Sequence, residues 1–148
     1  GSYKMFHLPD GLSQDSLHML MTCEPQIKEI GDLISRTDVL LFGIGTAMRM
    51  ADQRHIADDV RKQLVDNHAV GEALGQYCDI EGKLIYSTNN IGLSLPDVVK
   101  VPNVIAVAGG QEKASAIIGV MRACQKGILI IDEQAAEGMR QLLQISAL

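Results

Sequence analysis

The apolar positions of this 148-residue chain follow two rhythms. Three short stretches are almost uninterrupted: DVLLFGIG at 38–45, VIAVA at 104–108 and GILIIDE at 127–133. Runs of that length, rich in branched residues and closed by glycine or an acid, predict strands buried in a parallel sheet. Elsewhere the spacing is helical. Ser13 predicts an N-cap for a helix to about residue 22, and Pro25 opens a second helix. Helical spacing resumes at Thr46, and residues 56–68 predict an amphipathic helix with Val60 and Leu64 inside. Two further helices are expected over about 112–124 and 135–144. Residues 3–7 predict a short strand closed by a Pro9-Asp10-Gly11 turn. Residues 76–87 predict a hairpin around 79–82, and Pro96 opens a short helical turn. Three strand-then-helix units with short connections imply right-handed crossovers and a parallel α/β sheet with flanking helices. No repeat or linker divides the chain, so one domain of ordinary size is expected.

Composition sharpens this picture. Aromatic residues make up 3% and Trp is absent, so the core must be built from Leu, Ile, Val, Ala and Met. The formal net charge is −5 and the basic residues are dispersed. That argues against a nucleic-acid surface, which needs clustered Lys and Arg. No apolar run approaches the roughly 18 residues of a membrane span, and a cytoplasmic location is expected. Cys23, Cys78 and Cys124 are odd in number, widely spaced and without a CxxC pair. They fit neither a disulfide framework nor a zinc site, and buried, reduced thiols are expected. The leading Gly-Ser lacks an initiator Met, which suggests a piece of a longer chain.

In an open parallel sheet, ligands bind at the carboxyl ends of the strands. Three such ends are readable: Gly43-Ile44-Gly45, Gly109-Gly110 and Asp132-Glu133. Glycine admits a ligand close to the backbone, and the first turn of the next helix offers unpaired N–H groups to an anion. Lys113 would add a cation in a first turn, where the helix dipole does not favour it. The Gly-Gly pair reads either as half of an anion cradle or as a tight structural turn. Neither a GxGxxG nor a P-loop pattern is present. Glu72, between Gly71 and Gly75, is either a carboxylate facing ligand hydroxyls or a solvated acid at a helix end. Arg54 is either a bidentate phosphate clamp or a solvated helix arginine. Asp132 is read as the N-cap of the last helix. His7, His18, His55 and His68 lack metal-ligand spacing, and no metal or cofactor is expected. No Ser/His/Asp order fits a hydrolase elbow.

Four segments in order, LLFGIGTAMRMADQR, AVGEALGQYCDIEGKLI, VIAVAGGQEKASAI and ILIIDEQAA, carry a resemblance over roughly residues 3–143. Together they resemble the sugar-binding domain of SorC/DeoR-type bacterial transcription regulators. The resemblance implies a Rossmann-like fold akin to sugar-phosphate isomerases and deaminases, with the hairpin a small insertion. It also implies a phosphorylated sugar as effector, fructose 1,6-bisphosphate in glycolytic members, and no catalysis. Arg54 matches the arginine of the family's "MAxRR" segment, which would clamp phosphate; here His55 stands at the second basic position. Glu72 matches the glutamate of "VxEAxGxYF", expected to accept from sugar hydroxyls. Lys113 matches the lysine after the "AGG" turn formed here by Gly109 and Gly110, and Gly43 and Gly45 match the GIG turn. Where the family carries YF, this chain has Tyr77-Cys78. A helix-turn-helix DNA-binding domain and a Gly-Gly-Thr-Thr phosphate loop belong to the family pattern but not to this sequence. Residues 1–148 are therefore expected to be the second part of an effector domain, touching DNA only through another domain. An exposed sheet edge would favour a homo-oligomer. Two other readings stay open: an isomerase or deaminase using Glu72 as base, and an interaction piece that binds nothing tightly.

Overall fold

The computed structural model describes residues 1–6, 8 and 12–144. Helix α1 (Gln14–Cys23) begins as its sequence predicts, with the Ser13 hydroxyl accepting from the Ser16 amide at 3.1 Å. Pro25 opens α2 (Pro25–Ser35), which packs chiefly against α1. The predicted strand at 3–7 does not form over residues 3–6, which have no ladder partner for their backbone groups. His7 and the Pro9-Asp10-Gly11 turn lie outside the described residues.

The three apolar runs become β1 (Val39–Gly43), β6 (Asn103–Ala108) and β7 (Ile128–Ile131). They pair in parallel in the order β1-β6-β7, with Leu41 beside Ile105 and Ile105 beside Ile128. The intervening chain forms β2 (Gly45–Thr46), α3 (Ala47–Gln53), α4 (Asp58–Asp66), β3 (Gly71–Ala73), β4 (Gln76–Cys78) and β5 (Leu84–Ser87). A 3₁₀ turn at Pro96–Lys100 leads into β6. A second, Gln111–Lys113, leads into α5 (Ala114–Cys124), and α6 (Glu133–Leu142) follows β7. The predicted hairpin is real but is half of something larger: β2, β3, β4 and β5 form a four-stranded antiparallel sheet. Helix α4 is shorter than expected, and Leu64 is fully buried in it while Val60 is half-buried.

Helix α5 lies between the two sheets. Glycines on both sides of the contact allow this: a Cβ on Gly119 of α5 would stand 2.4 Å from the Asp79 carbonyl oxygen, and one on Gly71 of β3 would stand 2.7 Å from that of Ala116. Ile117, Val120 and Cys124 of α5 join Phe42, Val104 and Ala106 in the main core. A second cluster gathers Ala47, Ala51, Leu64 and Tyr77 between α3, α4 and the antiparallel sheet. Cys78 and Cys124 are buried as expected, and burial pushes their thiols up to about 12 and about 11. Cys23 is exposed on α1 instead.

Among the described residues, helices cover one face of the parallel sheet. On the other, Val39, Leu41, Val107, Ile128 and Ile130 are exposed, Leu41 to 66% and Ile128 to 65%. The pairing register sets these residues side by side with half-buried Ile105, giving an uncharged apolar plane.

Candidate functional site

The carboxyl ends of β1 and β6 open onto a cleft of about 470 Å³, within the range of small-molecule pockets. Its wall is shared by the two sheets. From the parallel sheet come Gly43 and Val107; from the antiparallel side come Gly45, Glu72 and Leu74. Helix α3 supplies Arg49, Met50 and Gln53, Arg54 follows at its C-cap, and the turn before α5 supplies Lys113. The Ile44 amide joins the two halves by donating to the Val107 carbonyl at 3.2 Å. Gly45 sits under Met50, whose Cγ would lie 2.4 Å from a Cβ there.

Glu72 is on strand β3, opposite Gly45 of β2, and not at a helix end. Its carboxyl is nearly closed to solvent. Glu72 Oε1 accepts from the Gly75 amide at 2.7 Å and from Arg54 Nη2 at 3.3 Å. Burial pushes its pKa above the ordinary value, and the Arg54 charge and the two hydrogen bonds oppose that push. The Gly75 bond closes a two-residue turn in which Leu74 and Gly75 both have positive φ, 54° and 77°. Leucine is strained in that region. The turn is clamped from outside: Asn90 Nδ2 donates to the Leu74 carbonyl and Thr88 Oγ1 to that of Gly75. Leu74 thus forms part of the cleft wall in a conformation its neighbours impose.

Arg54 separates this cleft from a second cavity of about 550 Å³. That cavity is lined by His55, Ile56, Val60, Tyr86 and Thr88, so His55 points to a different space from the glycine-rich rim.

Five of the seven residues singled out in the sequence line the cleft: Gly43, Gly45, Arg54, Glu72 and Lys113. Gly109 and Gly110 do not. The Gly110 amide donates to both Asp132 carboxylate oxygens, at 3.1 and 2.9 Å. Asp132 Oδ1 also accepts from Ala135 at 2.8 Å, the expected N-cap of α6. These backbone donors hold its carboxyl below the usual range. The Gly-Gly turn is therefore closed by the protein's own carboxylate, and a side chain on Gly109 would strike it at 2.7 Å. The sequence reading missed Arg49, Gln53 and Leu74. Arg49 and Gln53 are four apart on α3, a spacing that puts them on one helix face.

The positive groups of the cleft are not equivalent. Arg54 is paired with Glu72. Among the described residues no ion pair reaches Arg49 or Lys113. The Lys113 charge also acts on the Asp132 carboxyl, so a cleft of mixed polar and apolar lining holds one neutralised pair and two further cations.

An α/β frame with this cleft at its strand ends defines a small-molecule-binding domain. The chain belongs to the Sugar-bind family of sugar-binding domains, whose model matches residues 1–141. It is 35% identical over 137 residues to the central glycolytic genes regulator of Bacillus subtilis, covering 93% of this chain and 40% of that protein. It is 38% identical over 135 residues to the protein of the same name in Priestia megaterium, covering 91% and 39%. A SorC family transcriptional regulator from Enterococcus faecalis superposes with a TM-score of 0.79 at 39% identity, over 86% of this chain and 52% of that one. The chain thus spans about two fifths of the curated relatives it matches. Among the described residues no helix is long and apolar enough to cross a membrane.

Proposed function

We propose that the cleft binds a phosphorylated sugar and that the chain is the effector-sensing part of a bacterial transcription regulator, whose DNA contacts belong to a separate helix-turn-helix domain. The observation that carries this reading is that two cations from different elements, Arg49 and Lys113, line one cleft with the buried carboxylate of Glu72. Guanidinium and ammonium groups recognise phosphate oxygens, and a carboxylate accepts from sugar hydroxyls. The names of the regulators that match the chain point the same way. The sensing role follows if the ligand binds one arrangement of the whole protein better than another. An isomerase on the same frame needs a second proton-transfer group beside its base. Glu72 is the sole carboxylate among the residues lining the cleft, which favours binding over turnover.

Thermal melts test the reading with fructose 1,6-bisphosphate, fructose 6-phosphate, unphosphorylated fructose and inorganic phosphate. A ligand at a hundred times its Kd adds about 2.7 kcal/mol to native-state stability. For a domain of this size that is a rise in Tm of roughly 5–10 °C. A rise with a phosphorylated sugar and none with fructose is expected. No rise with either sugar phosphate, or an equal rise with inorganic phosphate alone, refutes it. Consumption of a sugar phosphate during incubation would favour the enzyme.

A further inference from the structure

We propose that Asn90, outside the cleft, is a positioning residue of the binding site: it holds the Leu74–Gly75 turn so that Glu72 and Leu74 are presented to the ligand. This rests on the sugar-phosphate reading above and adds to it a residue that keeps the site in shape.

Two residues join β3 to β4, with Ala73 opposite Gln76 across the turn. The favoured turns of that length put both residues at positive φ, which is why Asn-Gly and Gly-Gly recur in them. Here the pair is Leu74-Gly75, at φ 54° and 77°. Glycine takes that conformation freely and leucine does not. Turn chemistry gives no reason for leucine there. The cleft does, because Leu74 lines it together with Glu72. The same turn fixes the carboxylate, since Glu72 Oε1 accepts from the Gly75 amide at 2.7 Å.

A strained turn persists only under restraint, and residues 88–92 supply it. Asn90 Nδ2 donates to the Leu74 carbonyl at 3.1 Å. Asn90 is itself oriented, because its Oδ1 accepts from the Gly92 amide at 2.9 Å. The approach is close: a Cβ on Gly75 would stand 2.4 Å from Asn90 Nδ2. Thr88 holds the other half of the turn, donating to the Gly75 carbonyl from its amide at 2.8 Å and its hydroxyl at 3.0 Å. The grip on the leucine is therefore a side-chain amide, which a substitution can remove. Asn90 is exposed and is not part of the cleft lining, so its effect on a ligand passes through the turn. Without it Leu74 leaves the left-handed region, the Gly75 amide turns from Glu72, and wall and carboxylate lose their aim together.

Nuclear magnetic resonance of the full chain without ligand reads the turn directly. Asn90→Ala should shift the Gly75 amide proton upfield and speed its exchange by roughly tenfold or more, while the Ala106 amide of β6 keeps its rate. Leu74→Asn in the same chain should restore the Gly75 amide, because asparagine enters the left-handed region at little cost. Isothermal titration with fructose 1,6-bisphosphate should give a Kd about five to ten times weaker for Asn90→Ala than for wild type, the scale of one hydrogen bond. Adding Asn90→Ala to Leu74→Asn should weaken binding no further. A Gly75 amide unmoved by Asn90→Ala overturns the inference. So does an unchanged Kd, or a loss of equal size in the Leu74→Asn background; all three leave the sugar-phosphate reading standing. Wild type that binds no sugar phosphate removes that reading, and the Gly75 amide alone then decides whether Asn90 holds the turn.

Discussion

Replacing Arg54 by Met removes the charge that faces Glu72, the buried carboxylate of the cleft. The Glu72 side chain is 4% exposed and that of Arg54 27%. After the replacement, among the described residues, Glu72 keeps the Gly75 amide as donor, at 2.7 Å. Breaking a fully buried pair from one side costs about 3–5 kcal/mol. Among the described residues the pair is joined by a 3.3 Å contact, and Arg54 is partly wet, so about 1–3 kcal/mol is expected at neutral pH. Adding Glu72→Gln should restore more than half of the loss, because the amide oxygen can still accept from Gly75 and nothing charged remains buried. The cycle isolates the pair from Arg54's other neighbours, with a coupling of roughly 1–2 kcal/mol. The pH dependence has a definite sign. Glu72 has a folded pKa above its unfolded value, so its contribution is fully present below the ordinary carboxylate range near 4.3 and is lost as pH rises through the folded pKa. Without Arg54 the folded pKa rises further. The deficit of the single variant should therefore be largest near neutrality and should shrink as the solution is made mildly acidic. Urea unfolding followed by circular dichroism across that range measures it. A deficit independent of pH, or a double variant as damaged as the sum of its parts, refutes the assignment of the pair.

Two further outcomes are expected. The uncovered sheet face should drive the chain to self-associate; Leu41→Ser with Ile130→Ser should give a monomer in sedimentation velocity while costing less than about 1 kcal/mol of intrinsic stability, as for other surface changes. Wild type that stays monomeric through the micromolar range contradicts this. Asp132→Ala should lower Tm at neutral pH by freeing the Gly110 and Ala135 amides. The Asp132 carboxyl has a depressed folded pKa, so its stabilisation is present above the ordinary Asp value near 3.9 and disappears as pH falls through the folded one. Melts of wild type and variant should therefore converge in acid, and a gap that persists at pH well below 3 would count against the role.

The parallel strands were readable because their signal is local: VLLFG, VIAVA and ILII announce burial without reference to anything distant. Those same unbroken apolar runs predict two covered faces, and the structure covers one. The strand under Glu72 was hidden for the opposite reason. AVGEALG is rich in small residues, and only pairing with Gly45 and Tyr77 makes it a strand. The bond from the Gly110 amide to Asp132 was not legible because the two residues are 22 positions apart, although Asp132 was readable as a cap on local grounds. Arg49 escaped because a surface arginine on a helix has no sequence mark of its own. Residues 3–6 show the limit of propensity, since a strand without a neighbour has nowhere to send its hydrogen bonds.

The cleft straddles a seam between two separately hydrogen-bonded sheets, joined at Ile44, whose amide donates to Val107, and wedged by α5. Anything seated there acts as a cross-brace. Opening fluctuations that part the sheets would then become rarer, and amide exchange in both sheets would slow together. News of occupancy would then reach the far side of the domain as a loss of breathing, with no hinge required.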